Sequence, residues 1–432
     1  MPVRRIGILG HYHGGNQGDE CVVTALVQNL RSRCPQAELL GISLNPDDTR
    51  KRHRIAALPL RCYALDGGAR RRGSGTRSPA SLRRRLRQIP GLRRLIGGLR
   101  RFRSALLHAL REPAFLWRSY RRLRDIDLLV VAGSGPFSDD WSGPWSHPYT
   151  LFKWAFLARL AGARFAPLCV GAGPIDSALS RALLRSVLRS SVYRSFRDPA
   201  SAALIERIGV PGPHPVQPDL AFSLDLHASV HRAPSRSGRS RVVGLNPMAH
   251  KGYLEGDPAA YETYLQEMSD FALRLIDGGF QVRILYSQLV TDPRIAGELC
   301  ERVARKLGGE PGDALVHEPI HSLGDLIRGI LACDYVVACR YHLIILPQML
   351  GRPVVGLAYH AKTWDLMEAM EMSDSCLDIE RFDSGALFAA FTRLRADEER
   401  VKAVLAAKCA ENRRALERQY DHLLGLVGGT AQ

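Results

Sequence analysis

At 432 residues, 46% of them apolar, the chain exceeds what one hydrophobic core normally organises, and two or three globular domains are expected. No run of about 18 apolar residues occurs, so no spanning helix is expected. Met1 to Gly10 enters a strand-like run without an apolar signal region, and nine scattered cysteines, an odd number with no CxxC pair, fit a reducing cytoplasm rather than a disulfide framework. The net charge of +17 resides in residues 70–124, which hold 18 arginines, no lysine and one acid, Glu112. The rest of the chain is electrically balanced, so the high isoelectric point describes one segment and gives no whole-protein argument for nucleic-acid binding.

In chain order, apolar β-branched runs fall at Arg5–Leu9, Glu38–Ser43, Leu128–Ala132, Phe165–Val170 and Val192–Phe196, with a helix over Asp19–Arg33. The pattern restarts at Arg241–Leu245, Val282–Tyr286, Leu315–His317, Tyr335–Ala338 and Val354–Leu357, with helices over Tyr261–Asp277 and Pro293–Lys306. Such alternation predicts parallel sheets covered on both faces. The Ser/Arg/Pro-rich stretch 231–241 reads as a linker. The expected fold class is therefore α/β, with two Rossmann-like doubly wound domains, 1–230 and 242–432, facing a cleft. The helical region from about Arg381 is expected to pack back across them. Residues 67–124 interrupt the first domain with leucines and isoleucines three and four apart, predicting an Arg-rich helical insertion broken at Pro90-Gly91. An amphipathic helix of this kind suits an anionic membrane surface; the competing expectation is a helical hairpin packed on its own domain.

Three glycine turns follow first-domain strands: Gly14-Gly15-Asn16-Gln17-Gly18-Asp19-Glu20, Gly133-Ser134-Gly135-Pro136 leading to Asp139, and Gly171-Ala172-Gly173-Pro174. In open α/β sheets this edge is where ligands bind, and helix starts there favour anions. His11 and His13 alternate along a strand end and make a poor metal pair, so no metal is expected. In the second domain Arg340, His342, Tyr359 and Lys362 fall at strand ends beside helix starts, where cations can converge on a phosphate.

The order of these motifs, joined by Arg197-Asp198-Pro199-Ala200-Ser201, Pro218-Asp219 and Gly351-Arg352-Pro353-Val354, resembles the polysaccharide pyruvyl transferase family. The resemblance spans nearly the whole chain apart from the Arg-rich segment. Ser134, Leu343 and His360 depart from the family pattern. The resemblance implies an architecture like the GT-B glycosyltransferases and transfer of a carboxyethylidene (pyruvyl) group from phosphoenolpyruvate to a sugar or lipid-linked glycan acceptor. The donor then serves as co-substrate, and no separate cofactor is expected.

On that reading Arg340, Lys362 and Arg197 hold phosphate and carboxylate, helped by Asn16, Gly18, Gly133, Gly135, Gly173 and Tyr359. His342 is the candidate general acid. The carboxylate base is one of Asp19, Glu20, Asp139 and Asp219, with Asp19 and Asp139 first because they follow glycine turns at strand ends. Two other classes fit the same residues: a nucleotide-sugar-dependent glycosyltransferase of this fold, and a non-catalytic binding protein.

Overall fold

Parallel strands buried on both faces must be covered by helices, and both sheets of this chain are built in that way. The structure, a computed structural model, describes residues 3–10, 15–62, 110–140, 143–226, 240–249 and 257–428. The first sheet comprises β1 (Arg5–Leu9), β2 (Glu38–Ser43), β3 (Ala56–Pro59), β4 (Leu128–Ala132) and β5 (Arg164–Leu168), in the order β3-β2-β1-β4-β5. The second comprises β6 (Val242–Asn246), β7 (Gln281–Ile284), β8 (Leu315–Val316), β9 (Tyr335–Ala338), β10 (Val354–Ala358) and β11 (Cys376–Asp378), in the order β11-β10-β9-β6-β7-β8. All neighbouring pairs are parallel. Counted from its own first strand, each sheet has the order of a doubly wound Rossmann-like domain. Strand order therefore reverses at β1/β4 and at β6/β9, and crevices open at the carboxyl ends of those strands.

Around the first sheet lie α1 (Gln17–Arg33), α2 (Pro46–His53), α3 (residues 110–123), α4 (His147–Leu160), α5 (Ala178–Ser190) and α6 (Pro199–Arg207). The second carries α7 (Pro258–Asp277), α8 (Asp292–Leu307), α9 (Leu323–Leu331), α10 (Tyr341–Met349), α11 (Ala361–Ala369) and α12 (Ser384–Ala396). The last helix, α13 (Glu398–Gly428), returns to the first domain. There Leu416, Tyr420 and Leu423 are fully buried, Arg33 pairs with Asp421 at 3.0 Å, and the hydroxyls of Ser223 and Tyr420 lie 3.1 Å apart.

Two expectations change. The run Val192–Phe196 is not a regular strand: Phe196 makes only isolated bridges, to Val170 and Val216. The reason lies next door, where Cys169 takes a left-handed φ of 48° and its N–H donates to Ser195 Oγ at 2.8 Å. A side chain has intercepted a ladder bond, and β5 ends at Leu168. The short edge strands β3 and β11 were not expected. Of the arginine-rich insertion, residues 67–109 lie outside the described residues, as do 231–239 of the linker and His11 and His13. The part described, α3, buries Phe115 and Leu123, and Glu112 accepts from Lys153 Nζ at 2.9 Å. Among the described residues no helix is long and apolar enough to cross a membrane.

The two domains are stitched at one turn. Gln17 N–H donates to Ser287 O at 2.7 Å, and Leu289 N–H donates to Gly15 O at 2.7 Å. This antiparallel bridge joins the turn before α1 to the loop after β7. It sets the carboxyl ends of the two sheets against each other.

Candidate active site

Between those sheet ends lies a cavity of about 830 Å³. The first domain lines it with Asn16 and Asp19, with Gly133 to Pro136 after β4, and with Arg197. The second lines it with Arg340, Tyr341, His342, Tyr359 and Lys362.

His342 stands in the first turn of α10 and is nearly buried. Its Nε2 lies 3.7 Å from Asp219 Oδ1, within ion-pair reach but longer than a hydrogen bond. Its Nδ1 faces the first turn of α1, where a Cβ built on Gly18 would come within 2.4 Å. Only glycine permits that approach. Asp219 is buried, and burial opposes its charge. The neighbouring His342, Arg197 at 3.6 Å and the Ala221 N–H at 2.9 Å outweigh that penalty and hold the carboxyl below its ordinary value.

Arg197 also lies 3.6 Å from Asp198 and sits over the Tyr341 ring at 5.0 Å. Room for its guanidinium comes from Gly171, whose Cβ would fall 2.7 Å from Nη2. Arg340 makes a two-pronged pair with the buried Asp292, Nη2 to Oδ1 at 2.5 Å and Nε to Oδ2 at 3.1 Å. Its backbone N–H donates to Asn246 Oδ1 at 2.9 Å. Lys362, in the first turn of α11, lies over the rings of Tyr341 and Tyr359 at 6.0 and 5.7 Å. Burial, then the charge of Arg197, brings its ammonium down to about 8.

Asp19 is the one of the four candidate carboxylates that lines the cavity. Asn16 Nδ2 donates to its Oδ2 at 3.0 Å and Ser134 Oγ to its Oδ1 at 2.8 Å. Ser134 has a φ of 60°, a region that favours glycine, and its hydroxyl bonds Asp19 from that position. Glu20 instead pairs with His53 at 3.2 Å, buried on the far side of α1. Asp219 stands behind His342. Asp139 is not brought into the cavity. Its carboxylate accepts from the N–H groups of Asp176 (3.1 Å) and Ser177 (2.9 Å), which together with Ser180 overcome the cost of burial and hold it below the usual range. These bonds make Asp139 a loop and helix-entry anchor. Gly173 is not a lining residue either; it makes room for Ser138, which a Cβ would approach to 2.9 Å.

Arg61, Trp145, His147, Tyr341 and Asp292 belong to or support the site and were not singled out from the sequence. Tyr341 could have been found as an aromatic between Arg340 and His342. Arg61 follows the unexpected strand β3. Among the described residues no three His, Cys, Asp or Glu side chains converge as a metal site.

A cleft lined with cations between two Rossmann-like domains is a GT-B-like architecture. The model of the polysaccharide pyruvyl transferase family matches residues 16–361, and the chain belongs to that family. No curated protein sequence matches it significantly. Solved structures share the fold at low identity. HepE from Anabaena, determined in complex with UDP, is 13% identical with a TM-score of 0.56, covering 98% of this chain and 99% of that one. A glycosyltransferase from Rickettsia africae is 9% identical with a TM-score of 0.56 and full coverage of both chains. A UDP-GlcNAc 2-epimerase from Methanocaldococcus jannaschii is 11% identical with a TM-score of 0.56, covering 90% and 92%.

The packing of His342 on Gly18 is directly testable. Gly18→Ala is expected to displace the imidazole and lower kcat of the transfer reaction about 100-fold, since misplacements of about 1 Å cost that much. Stability should fall by about 1–3 kcal/mol, as in other overpacked sites. Wild-type kcat in the variant would show that this turn does not hold the ring.

Proposed function

We propose that the protein transfers a carboxyethylidene group from phosphoenolpyruvate to a pair of hydroxyls on a sugar of a glycan or glycan precursor. The observation that carries this is the convergence of Arg197, Arg340 and Lys362 around His342 in one cavity. Phosphoenolpyruvate bears a phosphate and a carboxylate, and three cations suit it.

In this scheme the imidazole of His342, within ion-pair reach of Asp219, delivers a proton to the methylene carbon of the donor. The adjacent carbon becomes electrophilic. One sugar hydroxyl adds there, giving its proton to Asp19. The carbon–oxygen bond to phosphate then breaks, with the leaving charge held by Lys362 and Arg340. The second hydroxyl closes the ketal. Two hydroxyl protons are released; one restores His342 and the other leaves with phosphate. The donor carries its own leaving group, so the scheme needs no cofactor. A nucleotide-sugar glycosyltransferase is the competing reading, favoured by the UDP bound in the HepE structure.

We place the enzyme in the cytoplasm, held to an anionic membrane face by the arginine-rich segment. In support, α3 exposes Trp117 beside Arg118, Arg121 and Arg122, with the Arg121 guanidinium 4.8 Å from the indole centre. Tryptophan flanked by cations suits a lipid–water boundary.

Phosphoenolpyruvate at about 100 times its Kd should add roughly 2.7 kcal/mol of stability in a thermal-shift titration. A response to a nucleotide-sugar and none to phosphoenolpyruvate would transfer the assignment to the competing reading. The charged form of Lys362 holds the donor, and it predominates below about pH 8. Hence kcat/KM for phosphoenolpyruvate should be level below that pH and fall about tenfold per unit above it. Lys362→Arg, charged throughout, should extend the level region. An unchanged alkaline limb in that variant would remove Lys362 from donor binding.

His342→Gln should reduce kcat by about 100- to 10,000-fold with little change in KM for the donor. A variant with normal kcat and a raised KM would make His342 a binding residue.

Full-length protein should sediment with anionic but not neutral vesicles, and high salt should release it. Equal partition to both, or to neither, would leave the segment a structural insert.

A further inference from the structure

The donor scheme uses the wall contributed by the second domain, with Arg197 and Asp19, and leaves the opposite wall unassigned. There, Arg61 after β3, the single-turn stretch Gly143–Trp145, and Ser146 and His147 at the start of α4 line the same cavity. We propose that this wall is an acceptor subsite for a phosphorylated sugar: a phosphate or diphosphate against Arg61 and the start of α4, and a sugar face on Trp145. The proposal rests on the pyruvyl-transfer reading and names the class of acceptor.

Arg61 is 8% exposed, and its Nη2 donates to Ser146 Oγ at 3.4 Å. Its position at the cavity wall puts a fixed positive charge there. Ser146 is the N-cap of a 14-residue helix and makes no side-chain cap bond, so the positive end of the helix dipole opens on the same wall. His147 is the first residue of that helix. Burial, then the charge of Arg61, brings its imidazole down to about 4, so the ring at this wall is neutral. Trp145 is 67% exposed with its ring 5.7 Å from that of Tyr149, a flat apolar surface at the mouth. Cation, helix start, neutral imidazole and exposed indole form an anion site beside a stacking platform, as a sugar phosphate requires.

Lys153 lies behind this wall, and its ammonium is engaged by Glu112, which also accepts from Tyr149 at 3.3 Å. Glu112 is the one acid of the arginine-rich stretch 70–124, and through it α3 is tied to α4 beside the subsite. A head group on a lipid and a free sugar phosphate share the chemistry described, and the experiment separates them.

Full-length enzyme is titrated calorimetrically with N-acetylglucosamine 1-phosphate, with N-acetylglucosamine and, separately, with phosphoenolpyruvate. The phosphorylated sugar should bind about 10- to 100-fold more tightly than the free sugar, the range of a charge-assisted contact. Arg61→Gln should abolish that advantage, and its loss should not fall on phosphoenolpyruvate. Trp145→Ala, at an exposed position that spares the fold, should weaken both sugars together. No phosphate advantage in the wild type, an advantage that survives Arg61→Gln, or a loss in that variant falling on phosphoenolpyruvate would overturn the subsite. Failure of wild-type enzyme to bind phosphoenolpyruvate would instead count against pyruvyl transfer, and the Arg61-dependent phosphate advantage is read independently of it. Neutral vesicles carrying the same sugar on a polyprenyl diphosphate identify the source. Arg61-dependent recruitment assigns the acceptor to the lipid, and soluble binding without recruitment assigns it to a free metabolite.

Discussion

The contact between the Gly18 backbone and the imidazole of His342 is the constraint on which the site depends. One partner belongs to the first domain and the other to the second. Their approach is possible because position 18 carries no side chain, and it is held by the paired backbone bonds that join Gly15 and Gln17 to the loop after β7. The domain junction and the histidine pocket are thus one piece of structure. Asp19, one residue further on, is oriented by Asn16 from the same turn and by Ser134 after β4.

The electrostatics follow from this junction. Burying Arg197 and Arg340 is costly, and each is offset by an acid: Asp219 and Asp198 for the first, Asp292 for the second. Their donors are pre-oriented and the net field is moderate. Lys362 differs. It rests on aromatic rings and has no carboxylate at ion-pair distance among the described residues, and its lowered value reflects that setting. The charge added by an anionic ligand is thus felt most at Lys362.

Much of this arrangement was legible in the residues. Both sheets, their parallel sense and the second-domain cations follow from apolar runs punctuated by glycine and from the placing of Arg340, His342 and Lys362 at strand ends. What escaped has physical reasons. Strands β3 and β11 are short edge strands with little apolar signal of their own, so Arg61 had no strand end to mark it. The run at Val192–Phe196 carries the right residues for a strand, but a serine hydroxyl takes the ladder bond that would have extended β5. Asp139 and Asp19 look alike as acids after glycine turns. Only the fold reveals that one is consumed by backbone N–H groups while the other faces the cavity.

The strand order has a consequence for the segment joining β3 to β4. These strands lie on opposite sides of β2 and β1, so the chain between them is a crossover whose two ends are fixed by the sheet and, through Glu112, by Lys153. Closing a longer connection between fixed ends costs only about 0.6 kcal/mol for each doubling of its length. Added length between Cys62 and α3 therefore costs little stability, while Phe115, Leu123 and Glu112 keep their places against the first domain. Thirteen of the 18 arginines of residues 70–124 precede α3, so most of the net charge can vary with that length.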